Sequence, residues 1–285
     1  MPNISTLLTP KVFTFEHRND ILPKSFDFHL HDKYEIYFFI SGRVNYLVEK
    51  SVYPLNSGDL LVMNSKEIHK ATFTESVPYE RYTLHFSPSL IYRFNTDEFN
   101  LLKCFENRPS GEHNRIHLDC DKRNELMRLL KRLEELRTSQ SSGYEALTLC
   151  CLIEILVLIN AAFSTNETYK SNISFPSKLT PILEYIDSNI DGDLSLQALE
   201  AKFYINRYYL CRLFKSFTGS SIHEYILYKR VSRAKMLLSE GLSVTDTCMR
   251  CGFGDYSNFI RSFKNITGIT PGKFTRSIPH SQINS

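Results

Sequence analysis

The sequence predicts a two-domain α+β protein: short strands closing as an antiparallel sandwich or barrel, then a helical connector, then an all-α C-terminal domain. Three observations predict it. Within residues 1–110, segments rich in Phe, Tyr, Val and Ile recur at roughly ten-residue spacing between turn signals. Residues 111–177 switch to apolar positions three and four apart, the period of a helix. Within residues 178–285 one helix-sized pattern is written twice: Arg212, Phe214, Lys215, Thr218 and Gly219 recur 49 residues later as Arg261, Phe263, Lys264, Thr267 and Gly268.

Composition supports a folded chain with an uneven charge. The 285 residues exceed the usual size of one domain, and 42% hydrophobic against 23% charged residues is globular rather than disordered. Residues 178–276 carry 14 basic and 9 acidic side chains within a total of +3, so the C-terminal part is basic and the remainder slightly acidic. That asymmetry points to a nucleic-acid partner better than the total does. Seven cysteines in irregular spacing, with no signal-like N-terminus, predict a reduced cytoplasmic protein.

In the N-terminal part FTFEH, FDFHLH, YEIYFFISG, VNYLVEK, DLLVMN and RYTLHF read as strands, separated by turns such as Ser41-Gly42 and 56–59. One constellation there carries chemistry. His29, His31 and Glu35, followed by Gly42, form H-x-H-x3-E-x6-G. On a strand His29 and His31 share a face, and two imidazoles with a carboxylate are a divalent-metal donor set. The pattern resembles the first motif of the cupin barrel. The slot for a further histidine, three residues after Gly58, holds Leu61, and His69 lies too far along to fill it in the same register, so no metal is expected. Two uses remain open: the polar wall of a small-molecule pocket drawing on His29, His31, Glu35 and His69, or histidines that are purely structural.

The connector is read as two helices. Residues 121–137 place Leu126, Leu129, Leu130, Leu133 and Leu136 on one stripe. Residues 144–163 are apolar nearly all round, so that helix must be covered by the barrel, by its neighbour or by a second copy, which favours a homodimer. Glu154 and Asn160 interrupt the run, and no membrane partner is expected. The polar stretch 164–177 reads as a linker.

Beyond it, Pro181 opens a helix, Ser195 and Asn206 are caps, and 203–205 make the turn of a helix-turn-helix. Leu210, Leu213, Phe214 and Phe217 are expected inward, which turns Arg207, Tyr208, Cys211, Arg212 and Lys215 outward. In the second copy Asp255 takes the cap slot, Phe259, Phe263 and Ile266 go inward, and Tyr256, Ser257, Asn258, Arg261 and Lys264 are left outward. A helix over 221–239 holds the two units apart. Arginine suits guanine in the major groove and lysine suits phosphate.

This region resembles the double helix-turn-helix domain of the AraC/XylS family of transcription regulators, through LSLQALEAKFYINRYYLCRLFKSFTG and VTDTCMRCGFGDYSNFIRSFKNITGITPGKF. The resemblance implies a cupin-like sensor at 1–110, a dimerisation connector at 111–177 and a DNA-binding domain at 178–285. It implies an activator that binds a double-stranded DNA operator and RNA polymerase and responds to a small effector such as a sugar or related metabolite. Glu200 stands where the family usually has Ala, and Cys248 and Cys251 form a C-x-x-C read as core filler. No nucleophile–base pair or phosphate loop accompanies the barrel, so neither catalysis nor a cofactor is expected. The alternatives are a constitutive DNA-binding regulator with a purely structural barrel, and a cupin metalloenzyme with an accessory DNA domain.

Overall fold

The computed structural model describes residues 8–22, 27–139, 142–165 and 173–277. Its N-terminal part is two antiparallel sheets packed face to face. Strands β1 (Phe13–Asp20), β2 (Tyr34–Ser41), β3 (Val44–Val48), β4 (Ser51–Pro54), β5 (Leu60–Met63), β6 (His69–Phe73) and β7 (Tyr79–Phe86) are followed by the short β8 (Arg115–Ile116) and β9 (Ile173–Ser174). One sheet has the order β1-β7-β2-β5-β8 and the other β6-β3-β4-β9. Among the described residues they remain two sheets rather than one closed ring.

The continuous apolar run of β2 follows from burial on both faces. Tyr34, Ile36 and Phe38 point into a core shared with the connector helices. Tyr37 and Phe39 point between the sheets, where they meet Tyr46, Tyr53 and Tyr79. Glu35 shares that inner face, because side chains alternate along a strand. The FDFHLH segment is not a strand: beyond the undescribed residues 23–26, it contributes only a single bridge between His29 and His69. Its backbone instead crosses the mouth between the sheets.

The single-turn helices α1 (Pro88–Ile91) and α2 (Lys103–Glu106) follow β7, in a stretch without helical periodicity. Then α3 (Cys120–Ser139) and α4 (Tyr144–Thr165) pack as a pair against the first sheet. The five predicted leucines of α3 are all buried. By length and composition α4 could cross a bilayer, but its stripe of Cys151, Leu152, Ile155, Leu156 and Ile159 lies inside the sheet core. Asn160, read from sequence as an interruption, is a buried stitch. Its amide donates to the carbonyls of Leu101 (2.7 Å) and Leu156 (2.8 Å) and accepts from the Cys104 N–H (2.9 Å). Leu147 and Val157 face outward and exposed.

The C-terminal part is helical: α5 (Thr180–Ser188), α6 (Leu196–Phe203), α7 (Arg207–Thr218), α8 (Ile222–Ser239), α9 (Val244–Arg250), α10 (Tyr256–Thr267) and α11 (Pro271–Ser277). Its core includes Phe28, Leu30, Leu47, Val52 and Ile68 of the N-terminal part, so the two parts share apolar packing. Part of the stretch read as a linker joins in: β9 pairs with β4, and Phe175 is buried. Polar bonds reinforce the join along α8. Lys229 Nζ donates to Glu49 Oε2 (2.5 Å) and lies 3.0 Å from Asp187 Oδ1. Lys235 pairs with Asp32 (2.5 Å), and Ser232 donates to the Lys66 carbonyl (3.0 Å).

Burial opposes the charge of Lys229, but Glu49 and Asp187 outweigh it and raise its pKa. Glu49 is 4% exposed, so loss of Lys229 leaves a carboxylate buried with no cation. Lys229→Met is therefore expected to destabilise the full chain by about 3–5 kcal/mol, the cost of breaking a buried pair from one side. Urea unfolding checks it, and an unchanged midpoint would remove the pair from the inter-part contact.

Candidate functional site

Two helix-turn-helix units display the repeated side chains. Helices α7 and α10 are both 12 residues long, start 49 residues apart and end on glycines, Gly219 and Gly268, in the left-handed conformation. Asn206 caps α7 by accepting the N–H groups of Tyr208 (3.0 Å) and Tyr209 (3.2 Å), and Asp255 caps α10 by accepting that of Asn258 (2.6 Å). Leu210 and Phe214 point inward on α7, as Phe259 and Phe263 do on α10. Tyr208, Arg212 and Lys215 of the first unit, and Tyr256, Ser257, Asn258, Arg261 and Lys264 of the second, are exposed; Arg207 and Cys211 are half-buried. Phe217 was expected inward but is 37% exposed, lying at the end of α7 near the ring of Phe175 (centroids 6.2 Å apart).

The two turns are not equivalent. The first spans three residues between α6 and α7, the second five between α9 and α10. The second places Gly252 at φ +71°, where a Cβ would come within 2.7 Å of the Ile190 carbonyl oxygen. The first places Tyr204 at φ +50°, with its ring 95% exposed. Glu200 has a definite job: its Oε1 accepts the Arg207 N–H at 3.1 Å, adding a second acceptor at the start of α7. The glutamate thus supplements the Asn206 cap.

The polar cluster lies at the mouth between the sheets. Register puts His85 of β7 directly opposite Glu35 of β2. His69 comes from the facing sheet, at the start of β6, and His31 from the crossing segment before β2. Their Nε2 atoms lie 3.2, 3.1 and 3.0 Å from one oxygen, Glu35 Oε2. The hydroxyl of Tyr46 donates to the other oxygen at 3.4 Å. Burial works against the charge of Glu35, yet His85 and His69 hold its carboxyl well below the usual carboxylate range. Burial also disfavours a charged His31 and lowers its pKa; at His69 burial acts the same way, but Glu35 outweighs it and the net shift is upward.

One sequence expectation is corrected here. His69 does reach the carboxylate, because it arrives on the second sheet and needs no shift of register within the first. His29 borders the group, its ring 6.0 Å from that of His69, and His85, which sequence reasoning missed, stands directly beside the carboxylate. His29 and His31 also border an open cleft of about 550 Å³ with Asp27, Phe28, Tyr228 of α8 and Ile266 of α10. A second cleft, about 750 Å³, lies outside the first sheet against α3. There His17 already bonds Glu80 (2.8 Å) and Glu134 (3.2 Å).

Residues 18–156 match the model of the AraC-like ligand binding domain, and residues 199–277 match that of a helix-turn-helix domain. The chain belongs to the AraC family. It is 26% identical over 257 residues to the Msm operon regulatory protein of Streptococcus mutans serotype c, covering 88% of this chain and 87% of that one. An uncharacterized HTH-type transcriptional regulator of Staphylococcus aureus (strain COL) is 24% identical over 249 residues, which span 85% of this chain but 31% of that longer protein. A solved structure of ToxT from Vibrio cholerae O395 aligns with 93% of this chain and 98% of its own at 15% identity and a TM-score of 0.41. The family membership makes this a DNA-binding transcriptional regulator with a ligand-binding domain.

Cys248 and Cys251 of this AraC-family chain are buried, and burial pushes the Cys251 thiol up to about 12. Both act as packing groups. Tyr204 offers a direct check on the unequal turns: Tyr204→Gly should raise stability by about 0.5–1 kcal/mol, since glycine escapes the left-handed penalty at some entropic cost. A urea midpoint that falls would contradict the strained turn.

Proposed function

We propose that the chain is an effector-responsive, sequence-specific transcription activator of the cytoplasm, binding an operator in double-stranded DNA as a homodimer and acting with RNA polymerase. The observation that carries it is the doubled, exposed order of Arg212 and Lys215 on α7 and Arg261 and Lys264 on α10. A solvated helix face has no reason to repeat that order behind an inward Phe at a constant offset. Successive major grooves on one DNA face recur about every 34 Å, so two units held by one helix suit two grooves. Arg212 and Arg261 are the proposed base readers, flanked by Arg207, Tyr208, Cys211, Tyr256, Ser257 and Asn258. Lys215 and Lys264 are the proposed phosphate contacts.

The proposed effector region is the polar mouth formed by His29, His31, Glu35 and His69, together with the cleft beside it. Imidazoles and a carboxylate suit a small polar metabolite such as a sugar. What supports a regulatory link is the company this region keeps. The cleft is lined by Tyr228 of α8 and Ile266 of α10 as well as by His29 and His31, and Asp32, next to His31, is bonded to Lys235 of α8. An occupant of the cleft therefore touches the helix that spaces the two reading heads. The outward Leu147 and Val157 of α4 supply apolar surface for the second copy.

Arg212→Ala and Arg261→Ala are each expected to cost about 1–3 kcal/mol in binding the cognate operator, and to relax base preference at one position. Competition binding on operator variants measures it; equal losses on every sequence would overturn the base-reading role. Lys215→Ala and Lys264→Ala should weaken binding on all sequences and reduce the salt slope by about one. If the mouth reports through α8, Lys235→Ala should change effector-dependent transcription while DNA binding by the isolated reading faces persists; reporter output that still follows the effector unchanged would break that link.

A further inference from the structure

We propose that His31, Glu35 and His69, with His85 holding the carboxylate from the side, form a binding site for a first-row divalent transition-metal ion at the mouth between the two sheets. The geometry comes from four separate elements: the crossing segment, the paired strands β2 and β7 of one sheet, and the edge strand β6 of the other. The donor atoms of His31, Glu35 and His69 all lie within 4.8 Å of one another. Imidazole and carboxylate bonds of about 2.0–2.2 Å place neighbouring ligands about 3–3.4 Å apart. The observed 3.0 and 3.1 Å separations of His31 Nε2 and His69 Nε2 from Glu35 Oε2 fit that spacing, and His85 Nε2 lies 3.2 Å from the same oxygen.

Hydrogen-bond accounting gives an independent argument. His31 Nδ1 is 2.8 Å from the Lys33 carbonyl oxygen, and His69 Nδ1 is 2.9 Å from that of Glu67. A carbonyl only accepts, so both Nδ1 atoms carry the proton, and in the neutral rings Nε2 is a bare lone pair. Bare nitrogens facing a carboxylate leave it short of donors, and each proton added at Nε2 to relieve that charges a ring in a largely buried place. One divalent cation satisfies the nitrogens and the carboxylate together. The orphaned atom is His69 Nε2: its residue is 1% exposed, and it makes no hydrogen bond despite its closeness to Glu35. Backbone carbonyls behind ligating histidines are the usual means of fixing ring orientation.

Glu67 extends the support. Its buried carboxylate accepts from Arg108 (2.6 and 2.7 Å), the Gly111 N–H (2.8 Å) and the Asn64 N–H (3.0 Å), fixing the turn that presents His69. On the other side, His31 and His85 have side chains 27% and 24% exposed, so a bound ion would keep a coordination position toward solvent. Imidazole-rich sets suit Zn²⁺, Fe²⁺ or Ni²⁺ over Mg²⁺ or Ca²⁺. The site stands on this geometry; only its regulatory consequence rests on the effector reading above.

The test uses the tag-free full chain, stripped with chelator and titrated with Zn²⁺ by equilibrium dialysis and elemental analysis, then with Co²⁺ for its visible absorption. One equivalent should bind, with Mg²⁺ failing to compete. Glu35→Gln and His85→Ala should weaken Zn²⁺ binding by about 10²-fold, and His223→Ala, on an exposed helix face far along the sequence, should not. His85 is partly exposed, so its variant decides the matter if Glu35→Gln does not fold. Absence of a stoichiometric ion, or binding indifferent to both substitutions, overturns the site. Operator affinity measured with and without Zn²⁺ separates the two readings: tight metal with unchanged DNA binding keeps the site and removes it from regulation, whereas no metal leaves the effector cleft standing.

Discussion

The arrangement depends on how α8 is held. This helix spaces the two DNA-reading units and also lies against the sheets, so whatever fixes it fixes both. Lys229 is anchored between Glu49 and Asp187, and Lys235 is bonded to Asp32. A buried ion pair of this kind adds little net stability over an apolar pair, but it is costly to break from one side, which favours one docking geometry over neighbouring ones. Phe28 adds an apolar contact with the rings of Tyr225 and Tyr228, both at 5.8 Å. The sensor part and the reading heads are therefore joined through a few named side chains.

The same short segment meets both the polar cluster and α8. His31 Nε2 lies 3.0 Å from Glu35 Oε2 within the mouth, and Asp32 bonds Lys235 of α8 outside it. Rearrangement of one is felt by the other, since their backbones are adjacent. The rest of the inter-sheet space is filled by aromatic side chains, with Tyr37 and Tyr79 sharing a hydroxyl contact at 2.5 Å. Packing of that density leaves the mouth, rather than the interior, as the place where a small ligand meets polar groups.

The two reading heads reach the same result by different local means. The second uses a five-residue turn and Gly252, with the glycine tolerating both the positive φ and the close approach of a carbonyl. The first uses a three-residue turn, holds Tyr204 in the left-handed region and adds Glu200 to the start of α7. The Glu200 carboxylate satisfies a backbone donor that every helix start leaves open.

The sequence by itself determined most elements and the outward faces of α7 and α10, because those rest on local rules: a turn-bounded apolar run in β2, period 3.6 in α3, caps at Asn206 and Asp255, and glycine at the two helix ends. Those rules act within a few residues, so a single chain displays them. Boundaries that local rules do not fix were missed, among them the strands 51–54 and 69–73 and the short helices after β7. Only the tertiary structure decided the mouth. His85 stands beside Glu35 because β7 pairs with β2 in one register, and His69 meets them because a second sheet folds over the first. Spacing along the chain carries no information about either event, which is why the slot three residues after Gly58 holds Leu61 while His69 and His85 arrive from elsewhere. It was likewise the packing of α8 against the sheets, set by groups more than a hundred residues apart, that tied this cluster to the DNA-reading helices.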